Sequence, residues 1–153
     1  MAEYSANAVQ TVQPGGFAIL TATVVPCEMG LIQHSDETPI FSLSGWKPNS
    51  NCRCHRNTPA LYKTNVNMNA ALSEGATVAT INVAIAIDGV SYPLSEMDAT
   101  PAAVQEFSHI GTDLSIPILN GCCQTVAIQN IGTQPIDIKN LIVDFERKDL
   151  NNN

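Results

Sequence analysis

The stretch Thr77–Tyr92, TVATINVAIAIDGVSY, has the clearest alternation of residue types in the chain. Branched aliphatic residues recur there at a period of two, at Ile81, Val83, Ile85 and Ile87. A period of two places them on one face of a β-strand, and the residues between them are small or polar. Asp88-Gly89 then supplies the positive-φ residues of a two-residue turn. The pattern predicts a buried β-hairpin whose aliphatic face packs on a second sheet.

Two later segments carry the same kind of signal. Residues 60–72, ALYKTNVNMNAAL, alternate between apolar and polar positions and predict another strand. The segment Ile136–Arg147 changes phase, because Ile136 and Ile138 fall on one face while Leu141 and the apolar residues after it fall on the other. One residue must be absorbed for all of them to point inward, so we predict a β-bulge near Asn140.

The remaining pattern is one of short strands separated by turn residues. We predict a strand over 107–119 that Gly111-Thr112-Asp113 and Pro117 interrupt, and a short helical connector over 98–106. About eight to ten strands with almost no helix indicate an all-β fold, a jelly-roll-like antiparallel β-sandwich. The expected organisation is a polar N-terminal arm (1–16), one sandwich domain (17–147) and a polar tail (148–153).

Charged residues are scarce in this chain, and their number and balance bear on its possible partners. Charged residues make up 14% of the sequence, against roughly 25% in a typical soluble domain, so we expect neighbouring subunits to cover part of the surface. The net charge of −7 argues against a nucleic-acid partner, which requires cationic side chains to displace counterions from phosphates. The expected state is a homo-oligomer.

The first 16 residues, MAEYSANAVQTVQPGG, lack the basic start and apolar core of a secretory signal. No apolar run approaches the roughly 20 residues that a membrane-spanning helix needs. We therefore expect a protein that is made in the cytoplasm, has no membrane partner, and reaches any outside location by lysis or through a dedicated machine.

A family resemblance is carried by two segments taken together. They are the N-terminal segment 1–16 and the block 101–145, PAAVQEFSHIGTDLSIPILNGCCQTVAIQNIGTQPIDIKNLIVDF, with its NIGTQP loop. This combination resembles small jelly-roll proteins among the structural genes of phages and prophages of gut Firmicutes, which are similar in outline to trimeric C1q/TNF-like heads. The resemblance implies a virion decoration or fibre protein. The chain has no collagen-like Gly-x-y repeat, which favours a capsid-bound or self-assembling role over a fibre tip.

The cysteine thiols are the most reactive side chains in the sequence. The candidates for a metal site are four cysteines and a histidine: Cys52, Cys54, His55, Cys122 and Cys123. Their spacing is not that of a standard zinc site, and all could meet at one ion only if the chain turns at Gly121. The alternative is disulfide bonding, for which Cys27 is a further candidate, with one of the five cysteines left over. Buried, inert thiols are the third interpretation, and we expect no cofactor apart from such a structural metal.

The basic residues are concentrated in one segment and suggest a docking surface. Four of the seven Lys and Arg residues are Lys47, Arg53, Arg56 and Lys63. With Trp46 they are the candidates for an interface with an acidic partner. Trp46 is also interpretable as a sugar platform or, as the only tryptophan, as a core residue. His34 and His109 are each interpretable as a strand-end histidine or as a metal ligand repeated around a three-fold axis.

No serine or cysteine lies in a recognisable nucleophile motif, and the carboxylates form no identifiable catalytic pair, so we expect no enzyme. The first hypothesis is a structural virion protein, a capsid decoration or a head or tail fibre subunit that assembles as a trimer and docks on the particle. The second is a cysteine-crosslinked subunit of a spore or cell-surface appendage. The third is a carbohydrate-binding module that holds a surface glycan on Trp46, Tyr62 and Tyr92.

Overall fold

The computed structural model describes residues 1–27, 30–46, 59–119 and 121–148. Those ranges contain twelve strands and one 3₁₀ turn at Pro93–Ser95. The strands are β1 (Ala2–Ala6), β2 (Gln10–Val12), β3 (Ala22–Val25), β4 (Ile32–His34), β5 (Phe41–Leu43), β6 (Ala60–Leu72), β7 (Ile81–Ile87), β8 (Val90–Ser91), β9 (Met97–Ala99), β10 (Ser108–Ile118), β11 (Gln124–Asn130) and β12 (Ile136–Arg147). The helical connector predicted over 98–106 is wrong, because the segment begins in β9 and continues as bends.

The strands form two antiparallel sheets that pack face to face. Sheet A has the order β10-β6-β12-β1-β3, with β2 also paired to β12. Sheet B has the order β4-β5-β11-β7-β8, with β9 also paired to β7. This two-layer, all-β arrangement confirms the predicted jelly-roll-like sandwich.

The core lies between the sheets and is built mainly from aliphatic side chains. Inward positions of β6, β10 and β12 from sheet A face those of β7 and β11 from sheet B. An aromatic cluster joins the layers at one place, where the Tyr4 ring lies 4.8 Å from the Phe41 ring and Phe41 lies 4.9 Å from Phe145. Such tilted aromatic pairs add to the burial of apolar area.

The predicted hairpin and bulge are both present. β7 and β8 pair through a turn at Asp88-Gly89, where φ is 51° and 81°, as a type I′ turn requires. In β12 the register with β6 shifts between Lys139 and Ile142, and Asn140 has a φ of 53°. The shift keeps the apolar residues on both sides of it buried against sheet B.

Two predictions need correction. Half of the predicted N-terminal arm belongs to sheet A: β1 pairs with β12 and β3 and buries Ala2, Tyr4 and Ala6, and β2 pairs with the start of β12. β10 is also continuous, with Gly111 opposite Asn67 and Pro117 opposite Leu61. An edge strand tolerates a proline because one side of its backbone needs no ladder partner.

Candidate interaction surface

One end of the sandwich gathers most of the residues that the sequence singled out. The backbone N–H of Gly45 donates to the carbonyl oxygen of Gly121 at 2.8 Å, and Ile118 is the register partner of Ala60. Residues 46 and 59, which flank the cysteine-containing basic segment, are therefore held beside the Cys122–Cys123 turn. We call this part of the molecule the loop end.

A polar network around Asp88 organises the loop end. The Asp88 carboxylate accepts hydrogen bonds from Gln124 Nε2 at 2.9 Å and from the Thr125 backbone N–H at 2.9 Å. The side-chain Oε1 of Gln124 accepts a hydrogen bond from the Leu119 backbone N–H at 2.7 Å. The bond from Gln124, followed by that from the Thr125 N–H, lowers the pKa of Asp88. These contacts fix the hairpin turn to the start of β11.

Four exposed apolar side chains lie on the segments that meet at or next to the loop end. Their exposed fractions are 56% for Trp46, 40% for Leu61, 71% for Val90 and 68% for Leu119. The interpretation of Trp46 as a core residue is therefore wrong, because the chain leaves the core at the buried residue Gly45 and turns the indole outward. Exposed apolar residues at one end of a domain mark a candidate contact surface.

The cysteines differ in their surroundings. Cys122 and Cys123 are exposed and form a disulfide with each other, so in this state neither offers a thiolate to a metal. Cys27 is a half-buried free thiol packed against the core near Tyr4. Cys52, Cys54 and His55 lie outside the described residues, and the metal site that depends on them stays a prediction. Within the described ranges no three His, Cys, Asp or Glu side chains are grouped to hold a metal.

The predicted interface residues are only partly described. Lys47, Arg53 and Arg56 lie outside the described residues, although Trp46 before them belongs to the loop end. Lys63 is exposed, but it is on the outer face of sheet A, where it is the register partner of Ser115 and Glu146. Lys63 is therefore on a strand face, separate from the loop that was expected to carry it.

The histidines lie in different environments. His34 stacks on Phe41 with ring centroids 4.4 Å apart, and its Nε2 lies 2.9 Å from the Thr38 carbonyl oxygen. Its Nδ1 is buried without a hydrogen-bond partner, so the ring is part of the aromatic packing. His109 is exposed on the outer face of sheet A opposite Asn69.

The tyrosines predicted to help Trp46 hold a glycan do not share its surface. Tyr62 is fully buried, and its hydroxyl donates to the carbonyl oxygen of Ser44. Tyr92 is half-buried and packs against the core. Of the three aromatic residues in the predicted glycan set, only Trp46 presents a broad exposed ring.

Two polar residues of β12 were not among the predicted site residues. Arg147 is buried beneath the loop end, with Nη1 3.2 Å from the Ser44 carbonyl oxygen and its guanidinium 5.6 Å from the Tyr62 ring centroid. Arg147 follows Val143 and Phe145 at the two-residue period of β12, and this alternation places its side chain on the inner face. Asp144 points to the outer face of sheet A, where its Oδ1 is buried without a hydrogen-bond partner. Nothing in the sequence indicates that an outward-facing aspartate becomes this enclosed.

Comparison with known proteins supports the fold. No protein-family model matches the chain, and no curated protein matches its sequence. The globular domain of the zebrafish complement 1qA protein has a similar structure, with a TM-score of 0.58 and 9% identity over 96% of this chain and 98% of that one. A carbohydrate-binding module of family 35 from Paenibacillus barcinonensis gives a TM-score of 0.36 and 16% identity over 93% of this chain and 97% of that one. The first comparison agrees with the C1q-like outline expected from the sequence, and the second score is too low to support an inference.

The described residues contain no helix that is both long and apolar enough to cross a bilayer.

Proposed function

We propose that this chain is a structural, non-enzymatic subunit that assembles as a homotrimer and decorates a virion, on the capsid or in a head or tail fibre. Made in the cytoplasm, it would join a virion or another extracellular surface assembly. The observation that carries the proposal is the loop end, where Trp46, Val90 and Leu119, on segments that meet there, each expose a large apolar side chain. A second protein surface that covers them removes apolar area from water, which is the main favourable term in association.

The charge beside the loop end indicates the kind of surface that it would meet. The sequence places Lys47 directly after Trp46, and Arg53 and Arg56 follow in the same segment. An otherwise acidic chain that concentrates cations next to an apolar patch favours an acidic partner, because opposite charges steer the encounter and fix its orientation. The proposed docking partner is therefore an acidic protein surface on the particle.

Self-assembly has separate support. Sheet A ends in β3, whose residues Ala22, Thr23 and Val24 are exposed, and sheet B ends in the short strand β8. An edge strand offers unpaired backbone groups to another chain unless something covers it.

The test is the native mass by light scattering, with and without reductant. We expect a particle of three times the 16.3 kDa chain mass in both conditions. A monomer in both conditions would overturn the assembly part of the proposal.

For docking, purified virions from the producing cells are treated with an antibody against this chain. Docking through the loop end is supported if Trp46→Ala abolishes the labelling. The control Val78→Ala, at another exposed apolar site, should preserve it.

The crosslinked-appendage hypothesis makes a different prediction for the same measurement. It requires large species that collapse when reductant is added. The bond between Cys122 and Cys123 uses two of the five cysteines within one chain, which disfavours that hypothesis.

The glycan-binding hypothesis depends on Trp46 alone, because Tyr62 is buried. Its test is a glycan array in which Trp46→Ala abolishes a signal that the unchanged protein gives.

A further inference from the structure

The disulfide between Cys122 and Cys123 lies in the connection from β10 to β11. It joins two adjacent residues, both of them exposed, and β11 begins directly after them at Gln124. Successive side chains of an extended chain point to opposite sides, so two neighbouring cysteines can be bonded only where the backbone departs from an extended course. The disulfide therefore fixes the course of the chain between Gly121 and Gln124.

The two residues that flank the disulfide hold other parts of the loop end. Before it, the Gly121 carbonyl oxygen accepts a hydrogen bond from the backbone N–H of Gly45 at 2.8 Å. After it, Gln124 accepts the Leu119 N–H at 2.7 Å through Oε1 and donates to the Asp88 carboxylate at 2.9 Å through Nε2. The course of the chain at the disulfide thus determines whether Gly121 and Gln124 can keep these partners at the same time.

The position of Trp46 depends on the bond between Gly45 and Gly121. Ser44 is held from the interior, because its carbonyl oxygen accepts a hydrogen bond from the hydroxyl of the buried Tyr62. Gly45 is buried too, and its N–H is directed to Gly121. Trp46 follows with 56% of its surface exposed. The contact with Gly121 is therefore the tie between the firmly held Ser44 and the exposed indole.

The disulfide is open to thiols in solution. Thiol–disulfide exchange requires that a thiolate reach one of the two sulfurs, and exposed disulfides are the labile and regulatory ones. A reducing cytosol keeps thiols reduced, whereas conditions outside the cell preserve disulfides. A chain that is made in the cytoplasm and later joins an extracellular assembly, as proposed above, meets both conditions.

We infer that Cys122 and Cys123 are a reversible redox pair that gives the loop end two states, closed with the disulfide and open with two thiols. In the opening step a thiolate of a dithiol reductant attacks one of the two sulfurs, the bond between them breaks, and the other sulfur leaves as a thiolate that takes up a proton. The second thiol of the reductant then displaces the remaining cysteine, so the reductant ends as a disulfide and the protein gains two electrons and two protons. A low-molecular-weight disulfide reverses the reaction by the same exchange.

Opening the pair changes the surface that the loop end presents. The two side chains are free to point to opposite sides, so the backbone between Gly121 and Gln124 straightens and the Gly121 carbonyl moves away from Gly45. A buried N–H without a partner is costly, so residues 45 and 46 shift until the N–H of Gly45 meets water. Docking through the loop end would then be restricted to the closed state. That consequence rests on the proposed function, whereas the two states do not.

The test uses the full chain with Cys27→Ser, Cys52→Ser and Cys54→Ser, which leaves Cys122 and Cys123 as its only cysteines. A second variant carries Cys122→Ser and Cys123→Ser in addition. Trp46 is the only tryptophan, so tryptophan fluorescence reports on the loop end alone. Amide hydrogen exchange, followed by NMR, reports on the bond from Gly45.

Before reduction neither thiol of the first variant should react with an alkylating reagent, and after dithiothreitol both should. Reduction should also shift the Trp46 emission to longer wavelength and increase its quenching by acrylamide. The Gly45 amide should exchange about threefold faster or more, because it loses its hydrogen bond. The Ala18 amide, bonded to the Ile128 carbonyl oxygen in the sandwich, is the control and should not change. The second variant should give the open-state signals with and without reductant.

Reoxidation with a low-molecular-weight disulfide should restore the first spectrum without joining chains covalently. Alkylation of both thiols before reduction would show that the pair does not form. Unchanged Trp46 and Gly45 signals after reduction would show that the pair does not control the loop end, and either result overturns the inference. None of these measurements needs a virion, so their failure is distinct from a failure of docking.

Circular dichroism checks that each variant is folded, which we expect because neither Cys122 nor Cys123 belongs to a strand. Should the serine variants fail to fold, the wild type gives the same readouts. Mass spectrometry of a proteolytic fragment then establishes whether Cys122 is bonded to Cys123, and a bond from either of them to another cysteine would overturn the inference.

Discussion

Gly111 of β10 stands directly against the side chain of Asn67 in β6. A Cβ atom built at position 111 would lie 2.5 Å from Asn67 Oδ1 and 2.7 Å from the Val66 carbonyl oxygen. The absence of a side chain at 111 lets the Asn67 amide lie flat on sheet A and donate to Asn65. The glycine that suggested a break in the strand is therefore a site of close packing between two strands.

The first prediction concerns Gly111→Ala. The added methyl group collides with a backbone oxygen, which cannot move without disturbing the pairing of β6 and β10. We expect a loss of about 1–3 kcal/mol in the free energy of unfolding, the usual effect of overpacking. Urea denaturation, monitored by circular dichroism, measures this loss of stability. Ser115→Ala, on the same face of the same strand, is the control and should change stability little; equal midpoints for both variants would contradict the steric argument.

The sequence was most informative where local pattern and turn chemistry agreed. The β7–β8 hairpin was predictable because Asp88-Gly89 has the residues that a type I′ turn prefers and the aliphatic residues before it alternate strictly. The bulge at Asn140 was predictable because two apolar phases can both face the core only if one residue is absorbed. Both inferences required only neighbouring residues.

The N-terminal strand was not predictable in the same way. Its inward residues are Ala2, Tyr4 and Ala6, two of them small, so the alternation is weak. Its partner β12 lies at the opposite end of the chain, and no local signal specifies that pairing. The same reason explains the missed Asp144: burial and, after it, the neighbouring Glu3 raise its pKa, and only the long-range pairing brings Glu3 next to it.

The second prediction concerns Asn130 at the end of β11. Its buried amide donates to the carbonyl oxygens of Val12 at 3.1 Å and Gln134 at 2.9 Å, and its own oxygen accepts the Gly132 N–H at 3.0 Å. Asn130→Asp keeps the shape but turns a carboxylate oxygen toward two acceptors. We expect a loss of about 3 kcal/mol or more at neutral pH, because a buried charge is left unpaired.

Chemical denaturation at pH 7 measures that loss. Asn7→Asp, at an exposed position, adds the same charge and should cost far less. Similar stabilities for the two variants would mean that the Asn130 amide does not hold β2 and the 131–135 loop in place.

The third prediction concerns the pH dependence of stability through Asp137. Burial opposes ionisation of this carboxyl, but hydrogen bonds from Gln105, Ser73 and Thr11 outweigh it and lower its pKa below the ordinary 3.8. A lowered folded-state pKa contributes stability above pH 3.8 that is lost as the pH falls through the folded-state value.

Asp137→Asn should therefore cost about 1–3 kcal/mol at pH 7 and progressively less in acid. Urea denaturation at a series of pH values from neutral into the acid range gives both curves. The curves should converge at low pH, and a constant difference between them would rule out ionisation of Asp137 as the source. Asp98→Asn, at an exposed carboxyl on β9, is the matched control.

The last prediction separates two roles of Asp88 in the hairpin turn. Its backbone has a φ of 51°, and its carboxylate accepts from Gln124 and Thr125. Asparagine tolerates the left-handed conformation and keeps one acceptor oxygen, whereas alanine has neither property. We expect Asp88→Ala to lose about 1–2 kcal/mol and Asp88→Asn to lose less than half of that, since surface charge itself contributes little. Thermal unfolding ranks the two variants, and an equal loss in both would assign the stabilisation to the carboxylate charge. The same contacts position Leu119 and Val90 at the loop end. Asp88→Ala should therefore also weaken the antibody labelling of virions, even at temperatures where the variant is folded.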